Sequence, residues 1–225
     1  GIFVSQKKYA TDQFKRFNML HCKSMPTPMN VNEKLVVNDG TGVANAKQFR
    51  TIVGGLIYLC HTRPDITFSV SVVSRFMHNP SLHHLGAAKR ILRYVAGTTD
   101  FGIWYFKVSK SKLGGFSDNN WPGCLVDRKC TSGSIFSLSS GAISWSSKKQ
   151  DVIALSSSEA EYVAITRAAC QAIWLRRLLA DFLQMQGGAT KAFYDNKATI
   201  TMTMNPAFHS RTKHTDIRYH FIRKL

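Results

Sequence analysis

In the first hundred residues, three stretches place their apolar side chains at helical spacing. Across residues 5–17, Ala10, Phe14 and Phe17 share one face, Lys7, Lys8, Lys15 and Arg16 crowd the other, and Ser5 stands where an N-cap belongs. Pro26 and Pro28 force an irregular segment, and Asn38-Asp39-Gly40 reads as a turn. Residues 48–62 predict a second helix through Phe49, Ile52, Val53, Leu56, Leu59 and Cys60, weakened by Gly54-Gly55 and broken by Arg63-Pro64. Residues 84–95 carry a stripe of Ala87, Ala88, Ile91, Leu92 and Val95, with Gly97 as a stop. Lys89, Arg90 and Arg93 lie off that stripe, as a solvated face or as phosphate contacts. Residues 65–77 fit two periods: Ile66, Phe68, Val70 and Val72 alternate like a strand, while Val73 and Phe76 extend the pattern toward a helix.

From residue 101 the texture changes to short runs suited to strands: 101–106, 113–118, 131–139 and 141–147. The last two are separated by little more than Ser140-Gly141, a hairpin signal. A long helix follows over about 158–183, with Ala168, Ala172, Leu175, Leu179 and Phe182 as its apolar stripe, and Gly187-Gly188 ends the unit. Residues 191–195 predict another strand and 198–204 a short helix, broken at Asn205-Pro206. The tail starts one more helix. Strands joined by tight turns, then a helix, a strand and further helices, indicate an α/β fold with a mixed sheet flanked by helices.

Charge narrows the partners. The 225 residues carry 30 Lys and Arg against 13 Asp and Glu, a net charge of +17. Residues 1–105 hold 13 basic and 5 acidic groups, and residues 106–225 hold 17 and 8, so a basic tail on a neutral body is excluded. A surface positive throughout points to a polyanion, nucleic acid foremost. With 44% hydrophobic residues the chain can bury a real core. Cys22, Cys60, Cys124, Cys130 and Cys170 are odd in number and include no Cys-x-x-Cys pair, which argues against a disulfide framework or a zinc ribbon and for a reducing compartment. No apolar run approaches the ~20 residues of a membrane span, and no signal-peptide pattern opens the chain.

In so basic a chain, carboxylates at the ends of three elements stand out: Asp118 in GFSDNNW, Glu161 in SSSEAEY and Asp195 in FYDN. Each has a structural alternative. Ser158-x-x-Glu161 fits a capping box, Ser156-x-x-Glu159 fits equally well, and Asp118 and Asp195 both suit turns or caps. Taken together they suggest a metal site. Parallel neighbouring strands can present both aspartates at one sheet edge, with the helix start above them. Three carboxylates there would resist ionising together unless a cation neutralised them. Hard oxygen ligands select Mg²⁺ or Mn²⁺ over zinc, and two such ions suit phosphodiester hydrolysis.

At these phrases the chain resembles the Pol polyprotein of copia-type retrotransposons, close to the plant elements, over essentially its whole length. GIFVSQKKYATDQFKRF, the stretch ending CHTRPD and AAKRILRYVAGTTDFGIWY are similar to the end of the reverse transcriptase and its connection. GFSDNNWPG, DRKCTSGSIF, GAISWSSKKQDVIALSSSEAEY, YDNKATI and NPAFHSRTKHTDIRYHFIRKL are similar to the ribonuclease H domain. The resemblance implies a mainly helical thumb/connection remnant over 1–100 and a ribonuclease H-like domain over 101–225, truncated at its C-terminus. It implies cleavage of the RNA strand of RNA–DNA hybrids with Asp118, Glu161 and Asp195 as catalytic metal ligands for Mg²⁺ or Mn²⁺. It leaves Glu159 to the cap and makes 65–77 a helix. Lys148, Lys149, Arg211 and Lys213 are expected contacts to the hybrid backbone, His209 and His214 are read as surface residues, and Trp121 and Trp145 as core.

The departures from the family's phrases bear on activity. Asp118-Asn119-Asn120-Trp121 stands where Asp-Ala-Asp-Trp is common, and Cys130 where serine is usual. The Tyr-x-Asp-Asp motif is absent, so polymerase activity is not expected. The family continues into a fifth strand and a fourth active-site aspartate beyond the point where this chain stops, at Leu225. Asp216, the nearest remaining carboxylate, is expected to favour the positive start of the last helix. The expected partners are an RNA–DNA hybrid and the remainder of the polyprotein, with no membrane. The expected setting is intracellular, in a cytoplasmic virus-like particle or the nucleus. The alternative readings are an inactive nucleic-acid-binding relic and a host-domesticated fragment.

Overall fold

The structure, a computed structural model, describes residues 1–31, 33–120, 129–154 and 156–195. The expected helix over 198–204, the helical tail, Trp121, Cys124, His209, Arg211, Lys213, His214 and Asp216 lie outside these residues. The chain divides into two compact units, Gly1–Tyr105 and Phe106–Leu225.

The first unit is a helical assembly: α1 (Lys7–Arg16), α2 (Ala46–Leu59), α3 (Thr67–Val73) and α4 (Leu82–Gly97), with 3-10 turns at Pro64–Ile66 and Ser74–Phe76. Its core is built from the sequence stripes: Ala10 and Phe14 of α1, five residues of α2 from Phe49 to Leu59, and Ala87, Ala88, Ile91, Leu92 and Val95 of α4, joined by Leu85. The ambivalent stretch over 65–77 is helical. Ile66, Val70 and Val73 are buried at helical spacing, whereas Phe68, inward-facing on the strand reading, is exposed. Ser5 is not a cap: α1 begins after Gln6, whose side chain makes no capping bond and instead reaches Tyr58 and Thr62. At α4 the cap is Ser81, which accepts from the His84 amide while its own N–H donates to His84 Nδ1. That is a capping box with histidine in the place of glutamate.

CHTRPD forms a clamp. Arg63 is 3% exposed, and its guanidinium donates twice to Asp65, at 2.9 and 2.7 Å, and to the Thr98 carbonyl and hydroxyl. The Tyr94 hydroxyl donates to the same Asp65. The run over 101–106 supplies β2 (Ile103–Tyr105), which pairs antiparallel with β1 (Ile2–Val4) and not with the later strands. The first unit accordingly closes at Tyr105, five residues past the expected boundary at 100, because this ribbon ties residue 105 back to residue 2.

The second unit is mixed α/β. Strands β3 (Leu113–Asn120), β4 (Thr131–Leu138) and β5 (Gly141–Lys149) form an antiparallel meander, α5 (Ser157–Asp181) follows, and β6 (Lys191–Phe193) returns parallel to β3. The sheet order is β5-β4-β3-β6. The β4–β5 turn is made by Ser139, in the left-handed region at φ 56°, and Ser140; Gly141 is already in β5. Leu113 and Phe136 of the sheet pack against Ala168, Leu175 and Leu179 of α5. Phe182, expected in that stripe, sits at the helix end and is 68% exposed. Cys22, Cys130 and Cys170 are free thiols. No described helix is long and apolar enough to cross a membrane.

Candidate metal centre

The site begins with strand alternation. Along β3, Leu113, Gly115, Ser117 and Asn119 are buried, while Phe116 and Asp118 point outward. The parallel ladder pairs Gly114 with Lys191, Gly115 with Ala192 and Phe116 with Phe193. Asp118 and Asp195 each lie two residues past the last pair, and so on the same face as the stacked Phe116 and Phe193 rings, 4.9 Å apart. Register therefore brings the two aspartates together.

Helix α5 supplies the third carboxylate. Its cap is Ser156, whose hydroxyl accepts from the Glu159 amide at 3.1 Å, and Glu159 is buried. Glu161 lies two residues further on and is half-buried. One carboxylate oxygen from each of Asp118, Glu161 and Asp195 falls within 4.8 Å of the other two. Among the described residues no lysine or arginine pairs with any of the three. Glu161 records the consequence: burial, then the charge of Asp118, then that of Asp195, push its pKa from 4.5 up to about 7. A hard, oxygen-only donor set of this kind fits Mg²⁺ or Mn²⁺.

Lys148 and Lys149 close β5 at the same end of the sheet. The row Asn119, Ser132, Lys148 runs across β3, β4 and β5, which puts Lys148 two strands, roughly 10 Å, from β3. Lys148 also lines a groove of about 380 Å³ with Arg167, Gln171, Trp145 and serines of β4 and β5. Trp145 is thus half-buried at a groove and not a core residue.

One polar residue beside the carboxylates carried no sequence signal. Gln150 follows β5, is 1% exposed, and places its amide nitrogen 3.1 Å from Asn119 Oδ1, 2.8 Å from Ser132 Oγ and 2.8 Å from the Ala160 carbonyl. A glutamine after two lysines matches no motif, and its partners lie 10 to 31 residues away.

Over 223 residues the chain is 41% identical to the retrovirus-related Pol polyprotein from transposon RE1 of Arabidopsis thaliana, covering 99% of this chain and 15% of that protein. It is 40% identical over 223 residues to the corresponding polyprotein from transposon RE2 of the same plant, with the same coverage. To the polyprotein from transposon TNT 1-94 of Nicotiana tabacum it is 39% identical over 232 residues, covering 100% of this chain and 17% of that protein. The chain thus spans between 15% and 17% of the length of these relatives. No family model matches it, and no solved structure matches it.

Proposed function

Because this chain belongs to the retrovirus-related Pol polyprotein family of plant transposons, we propose that its second unit is a ribonuclease H-like segment. In this reading it hydrolyses the RNA strand of an RNA–DNA hybrid at Asp118, Glu161 and Asp195. The observation that carries the reading is the convergence of three carboxylates within 4.8 Å, with no lysine or arginine paired to them among the described residues. Mutual repulsion there is costly in the free protein and becomes useful when divalent cations fill the site.

Asp118, Glu161 and Asp195 hold Mg²⁺ or Mn²⁺, which when bound supplies Lewis-acid activation of water and stabilisation of the leaving oxygen. The chain's own contribution is orientation. Parallel register places Asp118 on β3 beside Asp195, two residues past the end of β6, and the capped start of α5 fixes Glu161. Lys148 and Lys149, at the same end of the sheet, contact the hybrid backbone and add the salt-dependent attraction that a net charge of +17 already favours. Arg211 and Lys213 belong to the same proposal. The first unit is read as the end of the reverse transcriptase thumb and connection, and the rest of the polyprotein as its partner.

The test is cleavage of an end-labelled RNA paired with DNA by the 225-residue chain, with Mg²⁺ or Mn²⁺ and with EDTA, beside Asp118→Asn. Metal-dependent cutting of the RNA strand, lost in EDTA and in the variant, is expected. No cutting by the unaltered chain, or equal cutting by Asp118→Asn, overturns the reading.

A further inference from the structure

We propose that Gln150 is a positioning residue for the carboxylate centre, fixing the separation of the Asp118 and Glu161 backbones so that the three ligands meet a divalent cation. The inference rests on the metal-centre reading above and adds a residue to it.

Gln150 is anchored twice. Its backbone N–H donates to the Cys130 carbonyl at 2.7 Å, and its side-chain nitrogen reaches one oxygen on each of three elements. Asn119 is on β3, Ser132 on β4 and Ala160 on α5. Two of these are immediate chain neighbours of the ligands: Asn119 follows Asp118, and Ala160 precedes Glu161. Asn119 also donates its backbone N–H to Asp118 Oδ1 at 2.7 Å, so the residue held by Gln150 itself orients the aspartate. One amide thereby links the strand that carries the first ligand to the helix that carries the second.

Packing alone would not demand this residue. The side chain is fully buried, and its carbonyl oxygen has no hydrogen-bond partner among the described residues. Leaving a buried polar atom unpaired is costly, and an apolar side chain of the same length would avoid that cost. What the amide provides and a thioether does not is a directional tie to Asn119 and Ala160. Such a tie matters at a cluster of like charges, which without it would spread apart. Residues that orient metal ligands in this way typically change affinity by about 10- to 100-fold when lost.

The experiment is a Mn²⁺ titration of the 225-residue chain, followed by electron paramagnetic resonance of the free ion, on four proteins: unaltered, Asp118→Asn, Gln150→Met and Gln171→Met. Gln171 Nε2 donates to Ser144 Oγ at 3.1 Å, so it also ties α5 to β5, but more than two helical turns beyond Glu161. Gln150→Met is expected to weaken Mn²⁺ binding by about 10-fold or more, and Gln171→Met to leave it within about twofold. Unchanged affinity in Gln150→Met, or an equal loss in Gln171→Met, overturns the proposal. Should Gln150→Met fail to fold, Gln150→Asn decides: it keeps the amide but is one methylene too short to span all three partners. Weakened binding in that variant supports the proposal and unaltered affinity overturns it. If the unaltered chain and Asp118→Asn bind Mn²⁺ alike, the metal centre itself is refuted. If only the Gln150 variants bind normally, the centre stands and this role for Gln150 falls.

Discussion

Replacing Glu161 with glutamine should stabilise the metal-free protein, and the gain should appear only as pH rises. In the folded chain, burial and the two aspartates raise the Glu161 pKa from 4.5 to about 7. Below the lower value the carboxyl is protonated in both states and costs nothing. Between the two, the folded protein retains a proton that the unfolded chain releases, so stability falls with rising pH, and above the upper value the full penalty applies. At ~1.4 kcal/mol per pH unit the ceiling is about 3 kcal/mol, and solvent screening at a half-buried side chain brings it to about 1–2 kcal/mol. Glu161→Gln has no such titration. Urea denaturation in EDTA at about pH 5 and about pH 8 should therefore show the variant gaining on the unaltered chain by about 1–2 kcal/mol between the two conditions. Saturating Mg²⁺ at the higher pH should reverse the order, since a ligand at a hundred times its Kd stabilises by about 2.7 kcal/mol the protein that binds it. A stability difference between the two proteins that is the same at both pH values would refute the electrostatic account of the cluster.

Three other perturbations test separate parts of the structure. Arg63→Met removes the buried partner of Asp65 and should cost about 3 kcal/mol in chemical denaturation, because a desolvated carboxylate is left behind. Gly115→Ala drives a methyl group into the Phe136 ring beneath β3 and should cost about 1–3 kcal/mol by the same measurement. The double change Lys148→Ala, Lys149→Ala should weaken hybrid binding while lowering the slope of log affinity against log salt by up to about 2, read by fluorescence anisotropy over a salt series. An unchanged slope would remove both lysines from the interface.

What could be read from the sequence was what depends on local period. The stripes of α2 and α4 are the residues that pack the first core, and the β4–β5 hairpin was visible one residue from its true turn. What could not be read depends on distant chain. The period of residues 65–77 alone fits a strand or a helix, and burial of Ile66, Val70 and Val73 with Phe68 exposed agrees with the helix that the resemblance implied. The start of α4 was hidden because His84, not a glutamate, completes the capping box. Ile103–Tyr105 looked like the first strand of the sheet but pairs with residues a hundred positions earlier. Spacing alone left both Glu159 and Glu161 as caps or ligands. The structure separates them: Glu159 is buried with its amide on Ser156, and Glu161 faces Asp118 and Asp195. The parallel register that aligns the two aspartates, and the reach of Gln150 into three elements, have no local signature at all.

The proposed binding of a divalent cation by Asp118, Glu161 and Asp195 together is tested by anomalous diffraction from crystals of the 225-residue chain grown with Mn²⁺. An anomalous peak within about 2.0–2.3 Å of oxygens from all three carboxylates is expected, and it should vanish in Asp118→Asn. No peak at these residues in the unaltered chain, or the same peak in the variant, would contradict it.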